Sequence, residues 1–532
     1  MKMENLSGTR ALIRLILRRD RIIIPILFLF LILIFVSIAA SFVNLYADAA
    51  LREALVLQIS SNPGIVITLG PIQNSSIGGL VAWRSAVFGP ILVALVSIFL
   101  MIRHTRSEER KGRLELLNST VVGRQATLTS ALITICGANI LLGIVIFLSF
   151  LGLGLPWEGS LALALSMVAF GCLFAAITAV MVQLTESSSE ARYLSVAILI
   201  AFFILRIIGW DEGGTNWFFW LSPLGWVQNI RAFAGEEWWI FGLFAVLTIG
   251  LLALAYYLSS VRDLGAGILP PRSGPNRASF TLGSTLGLAW RLQRGMLLFW
   301  IAGFALMGVF IGYSAQTVSN IFIDNPQFLN IISQIGKGTE PLDIYINFML
   351  VLFGQIFAIY GILSVLKLRS QEVKRYSEFL LTNTVSRIKW ALTNLSFALI
   401  GPAIIMVIFI SCYSVSYGLI SGNMGQNLPQ LLSAAIVYLP AIWVMVGISV
   451  ALFGLLPRLT SLSWVALGLL LIINLLADFL DINHWILNIS PFTHVPNLLL
   501  GYTVGWPLGI VLVVALVLIL MGILGFQRRD IT

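Results

Sequence analysis

Twelve apolar runs divide this chain, separated by short polar interruptions. They occupy 22–43, 82–102, 127–155, 160–184, 193–209 and 239–260 in the first half. In the second half they occupy 296–313, 344–366, 390–420, 431–456, 462–480 and 505–526. None shows the every-second-residue alternation of a barrel strand, so each reads as a helix that satisfies its own backbone. A hydrocarbon core of about 30 Å needs about 20 apolar residues per crossing. The pattern therefore predicts an all-α polytopic membrane protein with about twelve transmembrane helices. Segments 210–238 and 481–504 are too broken by Gly, Pro and Trp to cross. Their tryptophans, Trp217, Trp220, Trp226, Trp238, Trp239, Trp485 and Trp506, fit interfacial anchoring or short re-entrant helices.

The polar interruptions are not all alike. Two of them, Arg106–Arg124 (RSEERKGRLELLNSTVVGR) and Arg369–Arg387 (RSQEVKRYSEFLLTNTVSR), lie 263 residues apart and align without a gap, with eight of nineteen positions identical. Each follows the second apolar run of its half. Ser222-Pro223 recurs as Ser490-Pro491 after the fifth run, and Arg262-Asp263 recurs as Arg529-Asp530 after the sixth. Six helices per half is an even number, so the halves share one orientation and are parallel repeats. The division reads 1–263 for the first repeat, 264–285 for a Gly/Pro/Ser-rich cytoplasmic linker, and 286–532 for the second repeat. Each repeat opens on a basic, partly apolar stretch, 11–19 and 288–296, with the pattern of a helix lying in the interface or of arginines snorkelling from a spanning helix.

Charge orients this frame. Only 10% of residues are charged against 58% hydrophobic, far from a soluble composition. With the N-terminus inside, the inner segments hold 27 of the 32 basic residues, and the net charge is +16 inside and −7 outside. The expected setting is a bacterial plasma (inner) membrane, multi-pass, with both termini cytoplasmic. The overall +9 thus reflects topology and gives no support to nucleic-acid binding. Cys136, Cys172 and Cys412 all fall within spans and read as small core residues.

The candidate chemistry is sparse. The duplicated loops carry an apolar stripe, Leu114, Leu117 and Val121, on an otherwise charged helix, which suits a segment resting on the membrane core while presenting charge to a cytosolic partner. No P-loop is present, no ligand spacing joins His104, His484 and His494, and no nucleophile–base pair is recognisable, so the chain is not expected to be an enzyme by itself or to bind a cofactor or metal. Within the spans, Asn139, Gln183, Arg206, Gln355 and Asn474 are candidates for a substrate pathway, with interhelical bonding or snorkelling as the plainer reading.

The first loop resembles the segment after the second helix in membrane subunits of type-2 ATP-binding-cassette exporters, with its E-x-x-G-R-x-E-L-L…P-V-x-R pattern. Glu109, Gly112, Arg113, Glu115, Leu116, Leu117, Val122 and Arg124 match it. The second copy departs, with Arg375-Tyr376 in place of Gly112-Arg113 and Phe379 in place of Leu116. The twelve-helix form, with LSPLGWVQNIRAFAGEEWW and GLAWRLQRGMLLFW, is similar to permeases of polyketide-antibiotic exporters over nearly the whole chain. The resemblance implies a pseudo-dimer of exporter domains moving amphiphilic or hydrophobic compounds outward by alternating access. It implies separate cytosolic ATPase subunits, two per permease chain, carrying ATP and Mg. Their docking residues would be Glu108, Glu109, Gly112, Arg113, Glu115 and Arg124, then Glu372, Lys374, Arg375, Glu378 and Arg387. The alternative is a proton-coupled secondary multidrug transporter of the major-facilitator type, echoed faintly by Arg110-Lys111-Gly112-Arg113 but lacking that family's Asp-Arg pair and buried carboxylates.

Overall fold

The structure is a computed structural model that describes residues 6–60, 65–66, 69–109, 122–211, 214–263, 266–269, 280–324, 341–373, 385–421, 428–476 and 484–529. It forms two compact units, Met1–Gly274 and Pro275–Thr532.

In the first unit α1 (Thr9–Arg19) precedes α2 (Ile23–Leu45), a short α3 (Ala49–Ser60) and the long α4 (Ile77–His104). Then come α5 (Ala126–Gly152), α6 (Trp157–Leu184), α7 (Ser188–Ile208), α8 (Pro223–Asn229) and α9 (Ile240–Val261). The Ser76 hydroxyl caps α4 by accepting from the Gly79 amide at 3.1 Å, satisfying a donor that the first turn leaves open. Residues 210–238 do not cross: a two-residue hairpin pairs Trp210 with Thr215, and a helical turn and α8 fold back over the ends of α4 and α6. Phe233 closes this cap by seating its ring against Gly78 and Gly159, where any Cβ would lie within 2.5 Å of it.

The second unit contains α10 (Thr285–Asp324), α11 (Pro341–Val373), α12 (Arg387–Ser421), α13 (Leu428–Ile436), α14 (Leu439–Leu455), α15 (Leu462–Leu476) and α16 (Trp506–Arg528). The apolar run 431–456 breaks between α13 and α14, where Pro440 occupies the first turn and can donate no backbone bond to the preceding one.

Eleven helices among the described residues are long and apolar enough to cross a membrane; the twelfth apolar run appears as α15, which is described over 15 residues. Burial follows one order in both units. The second and fourth crossing helices are central, α4 and α6 at 67% and 72% buried, and α11 and the α13–α14 crossing at 61% each. The first and sixth are peripheral at 22% and 17% in each unit. Faces left bare by these peripheral helices carry Leu, Ile, Val and Phe, which suits contact with lipid rather than water.

One element departs from a shared plan. The basic opening stretch is a separate helix, α1, only in the first unit. In the second, residues 288–296 belong to α10, which runs unbroken for 40 residues. The interruption in the first unit is built on Asp20, fully buried at the end of α1. Its carboxylate accepts two bonds from Arg103 at 2.8 Å each, and His104 Nε2 lies 3.0 Å away. Burial acts to raise the Asp20 carboxyl, but the Arg103 bond and the nearby His104, Arg103 and Arg19 charges outweigh it and hold it below the ordinary 3.8. Within the unbroken α10, Gln293 is buried and neutral, accepts from Ser364 at 2.6 Å and donates to Asn394 at 3.4 Å.

Candidate functional site: two arginine–glutamate–arginine clamps

Each duplicated loop begins where the second crossing helix ends, and there the structure builds the same arrangement twice. After α4, a helical turn Arg106–Glu109 brings Glu109 back beneath Arg106, three residues earlier. One Glu109 carboxylate oxygen accepts from Arg106, and the other accepts from Arg262 at 2.5 Å. Arg262 is the residue that ends α9. In the second unit Glu372 accepts from Arg369 at 2.9 Å and from Arg529 at 2.5 Å, and Arg529 is the residue that ends α16. The far foot of each loop closes on the same arginine. Arg124 donates to the Arg262 carbonyl, and Arg387 donates to the Arg529 carbonyl at 3.0 Å.

Helix geometry explains why arginine serves at these places. The last carbonyls of a helix have no partner in their own helix and carry partial negative charge. Arg106 is almost fully buried and donates its Nε to the Thr185 carbonyl at 2.8 Å, at the end of α6, and an Nη2 to the Ala266 carbonyl at 2.7 Å. Arg262 reaches the Val182 carbonyl at 3.3 Å. The chain beyond α9 then runs along the end of α6, with Ile268 and Leu269 amides bonded to the Gln183 and Leu184 carbonyls. A planar fork with several donors is suited to one carboxylate oxygen and one or two carbonyls together. The second clamp is finished differently. The Arg529 guanidinium lies 5.3 Å from the Phe453 ring centre and 5.5 Å from that of Phe526, and its Nε and one Nη have no hydrogen-bond partner among the described residues.

The remaining sequence candidates divide sharply. Glu108 pairs with Arg19 of α1 at 2.8 Å, and the Gly123 amide bonds the Ser7 carbonyl, so α1 also touches both feet of the first loop. Gly112, Arg113, Glu115, Lys374, Arg375 and Glu378, with the stripe Leu114, Leu117 and Val121, lie outside the described residues. Glu109, Arg124, Glu372 and Arg387 are brought together in the clamps, where both carboxylates spend their oxygens on arginines of their own chain.

Among the span residues, Asn139 is buried and donates to Ser97 at 3.0 Å, tying α5 to α4. Arg206 is buried and donates to Gln228 at 2.8 Å, and Gln228 in turn donates to the Leu69 carbonyl at 2.6 Å, so this pair fixes the cap over the opposite end of the unit. Gln183 lies beside the first clamp, in a crevice of about 430 Å³ that it shares with Thr105, Arg124 and Arg262. Gln355 is buried in α11. The backbone of Asn474 lies in α15, and its side chain is outside the described set. These residues do not converge on one place. Sequence reasoning missed Arg106, Arg262, Arg369 and Arg529 as site residues. Their signal was present, in the first position of each duplicated stretch and in the recurring Arg-Asp after each sixth helix, but it spoke only for duplication.

Among the described residues no group of three or more His, Cys, Asp or Glu is placed to hold a metal. A family profile described as the multidrug efflux system permease Rv1217c, C-terminal domain, matches residues 282–527. Over 530 residues the chain is 36% identical to the multidrug efflux system permease protein Rv1217c of Mycobacterium tuberculosis, covering 99% of this chain and 95% of the relative. Near-complete coverage at that identity, on a bundle of apolar crossing helices, makes the chain a member of the multidrug efflux system permease family.

Proposed function

We propose that the chain is the membrane-spanning subunit of an ATP-binding-cassette exporter, driven by separate cytosolic ATPase subunits that grip its two duplicated loops. The observation that carries this reading is the doubled clamp. Both loops are fixed at both feet to the end of a crossing helix, which turns a polar connection into a lever. A lever repeated once per unit suits two ATPase copies, with ATP and Mg held by them. Net work requires that the partner bind two conformations of the permease with different affinity, which nucleotide binding and hydrolysis supply. The cargo is amphiphilic or hydrophobic, because the crossing helices offer mostly Leu, Ile, Phe and Val and few polar side chains.

The orientation that fits is both termini and both loops on the cytoplasmic side of a bacterial plasma membrane. Proton-coupled transport is the competing reading, and the scarcity of carboxylates within the spans counts against it. Cells loaded with a fluorescent amphiphile separate the two. Collapse of the proton gradient with ATP spared leaves efflux running under the proposed mechanism, and arrest of efflux under those conditions would refute it.

A further inference from the structure

The clamps tie each loop to one residue, Arg262 or Arg529, by two routes. The near foot reaches the guanidinium through Glu109 or Glu372, and the far foot reaches the carbonyl through Arg124 or Arg387. Loop and helix end thereby form a closed ring. The loop cannot be displaced as a whole without taking that residue with it or breaking ion pairs that burial has made costly to break. Three of the eight positions shared by the two loops, the first Arg, the Glu and the last Arg, are spent on this ring. The connection continues inward. In the first unit Arg106 and Arg262 hold the final carbonyls of α6, a central helix of the bundle. In the second, Arg529 lies over Phe453 of the equally central α14.

We propose that Arg262 and Arg529 are positioning residues of the transport cycle, passing displacement of each loop to the ends of the sixth and fourth crossing helices. This rests on the ATPase docking proposed above. The docking proposed above does not call on Arg262 or Arg529, so binding of the ATPase and transmission of its movement are separable. Removing the guanidinium leaves the loop able to bind and to stimulate hydrolysis, while the helices no longer follow. The clamp is therefore a determinant of how much cargo moves per ATP.

The full permease, reconstituted with its ATPase in vesicles, tests this with Arg262→Gln and Arg529→Gln. Three quantities are read: ATPase retained on the tagged permease, ATP hydrolysed, and fluorescent amphiphile moved per ATP. Retention and hydrolysis should stay within roughly twofold of the unmodified complex, while amphiphile moved per ATP should fall roughly fivefold or more. Arg262→Lys and Arg529→Lys, which keep a cation at the carboxylate, should recover part of that loss. If Arg262→Gln does not accumulate in the membrane, Arg529→Gln alone supplies the same readout, since that arginine is less buried. Unchanged transport per ATP would overturn the proposal, as would loss of ATPase retention in step with loss of transport. An unmodified permease that retains no ATPase would instead overturn the docking on which the proposal rests.

Discussion

The two clamps share their residue types and connectivity and differ in what lies behind them. In the first, Arg106 and Arg262 are 1% and 6% exposed, and the Thr185, Ala266 and Val182 carbonyls accept further bonds from them. In the second, Arg369 and Arg529 are 23% and 15% exposed, and aromatic rings take the place of the Val182 carbonyl. A contrast also appears at the opening of each unit, where the charged Asp20–Arg103 pair lies at the break between α1 and α2 and the neutral Gln293–Ser364 pair lies within the unbroken α10. Aromatic packing is also redistributed. Phe170, Phe174, Phe202 and Phe244 interlock α6, α7 and α9 in the first unit, whereas Phe304, Phe353, Phe357 and Phe409 interlock α10, α11 and α12 in the second. Duplication has kept the arginine–glutamate–arginine arrangement and let its surroundings diverge, with main-chain carbonyls behind the first clamp and the Phe453 and Phe526 rings behind the second.

That contrast can be broken most forcefully at the carboxylates. Glu109→Ala leaves two buried guanidinium groups facing each other and should cost about 3–5 kcal/mol, read from thermal unfolding in detergent. Glu372→Ala should cost less, because solvent reaches its arginines. Equal losses would remove the distinction between the clamps. Next in size is the opening latch. Asp20→Asn removes the carboxylate that accepts two bonds from Arg103 and should cost about 1–3 kcal/mol, whereas Gln293→Leu, in a neutral network, should cost about 1 kcal/mol.

Backbone proximity sharpens the comparison from the other side. At Gly454 a Cβ would stand 1.9 Å from the Gly522 carbonyl oxygen of α16, so Gly454→Ala must push α14 and α16 apart, at about 1–3 kcal/mol. Gly137 in α5 has open space where a Cβ would go, and Gly137→Ala should be neutral or slightly stabilising, by up to about 1 kcal/mol. The smallest effect is a pH dependence near the acid limit. The Asp20 carboxyl is lowered on folding, so its contribution is present above about 3.8 and is lost as pH falls below that value. Asp20→Asn should flatten this part of the unfolding profile, with Gln293→Leu leaving it unchanged.

Much of the fold was legible because lipid leaves few options: apolar length sets the crossings. The broken segment around 210–238 was equally visible. What stayed hidden were relations between distant polar residues. Glu109 reads in the sequence as a docking charge, and the arginine 153 residues further on with which it pairs is not visible there. Arg206 is conspicuous as a cation in a span, read as a pathway candidate or a snorkelling side chain, and its partner Gln228 lies in a segment outside the predicted crossings. The difference between α1 and α10 was likewise unreadable from helical pattern alone.

The most direct measurement places the purified chain in sealed vesicles, with and without a cytosolic ATPase subunit, and follows uphill movement of a fluorescent amphiphile. Accumulation should require both the ATPase and ATP, and an imposed proton gradient should drive none. Concentration of the amphiphile by this polypeptide alone, powered by that gradient, would contradict a permease whose work is done by subunits held at its clamped loops.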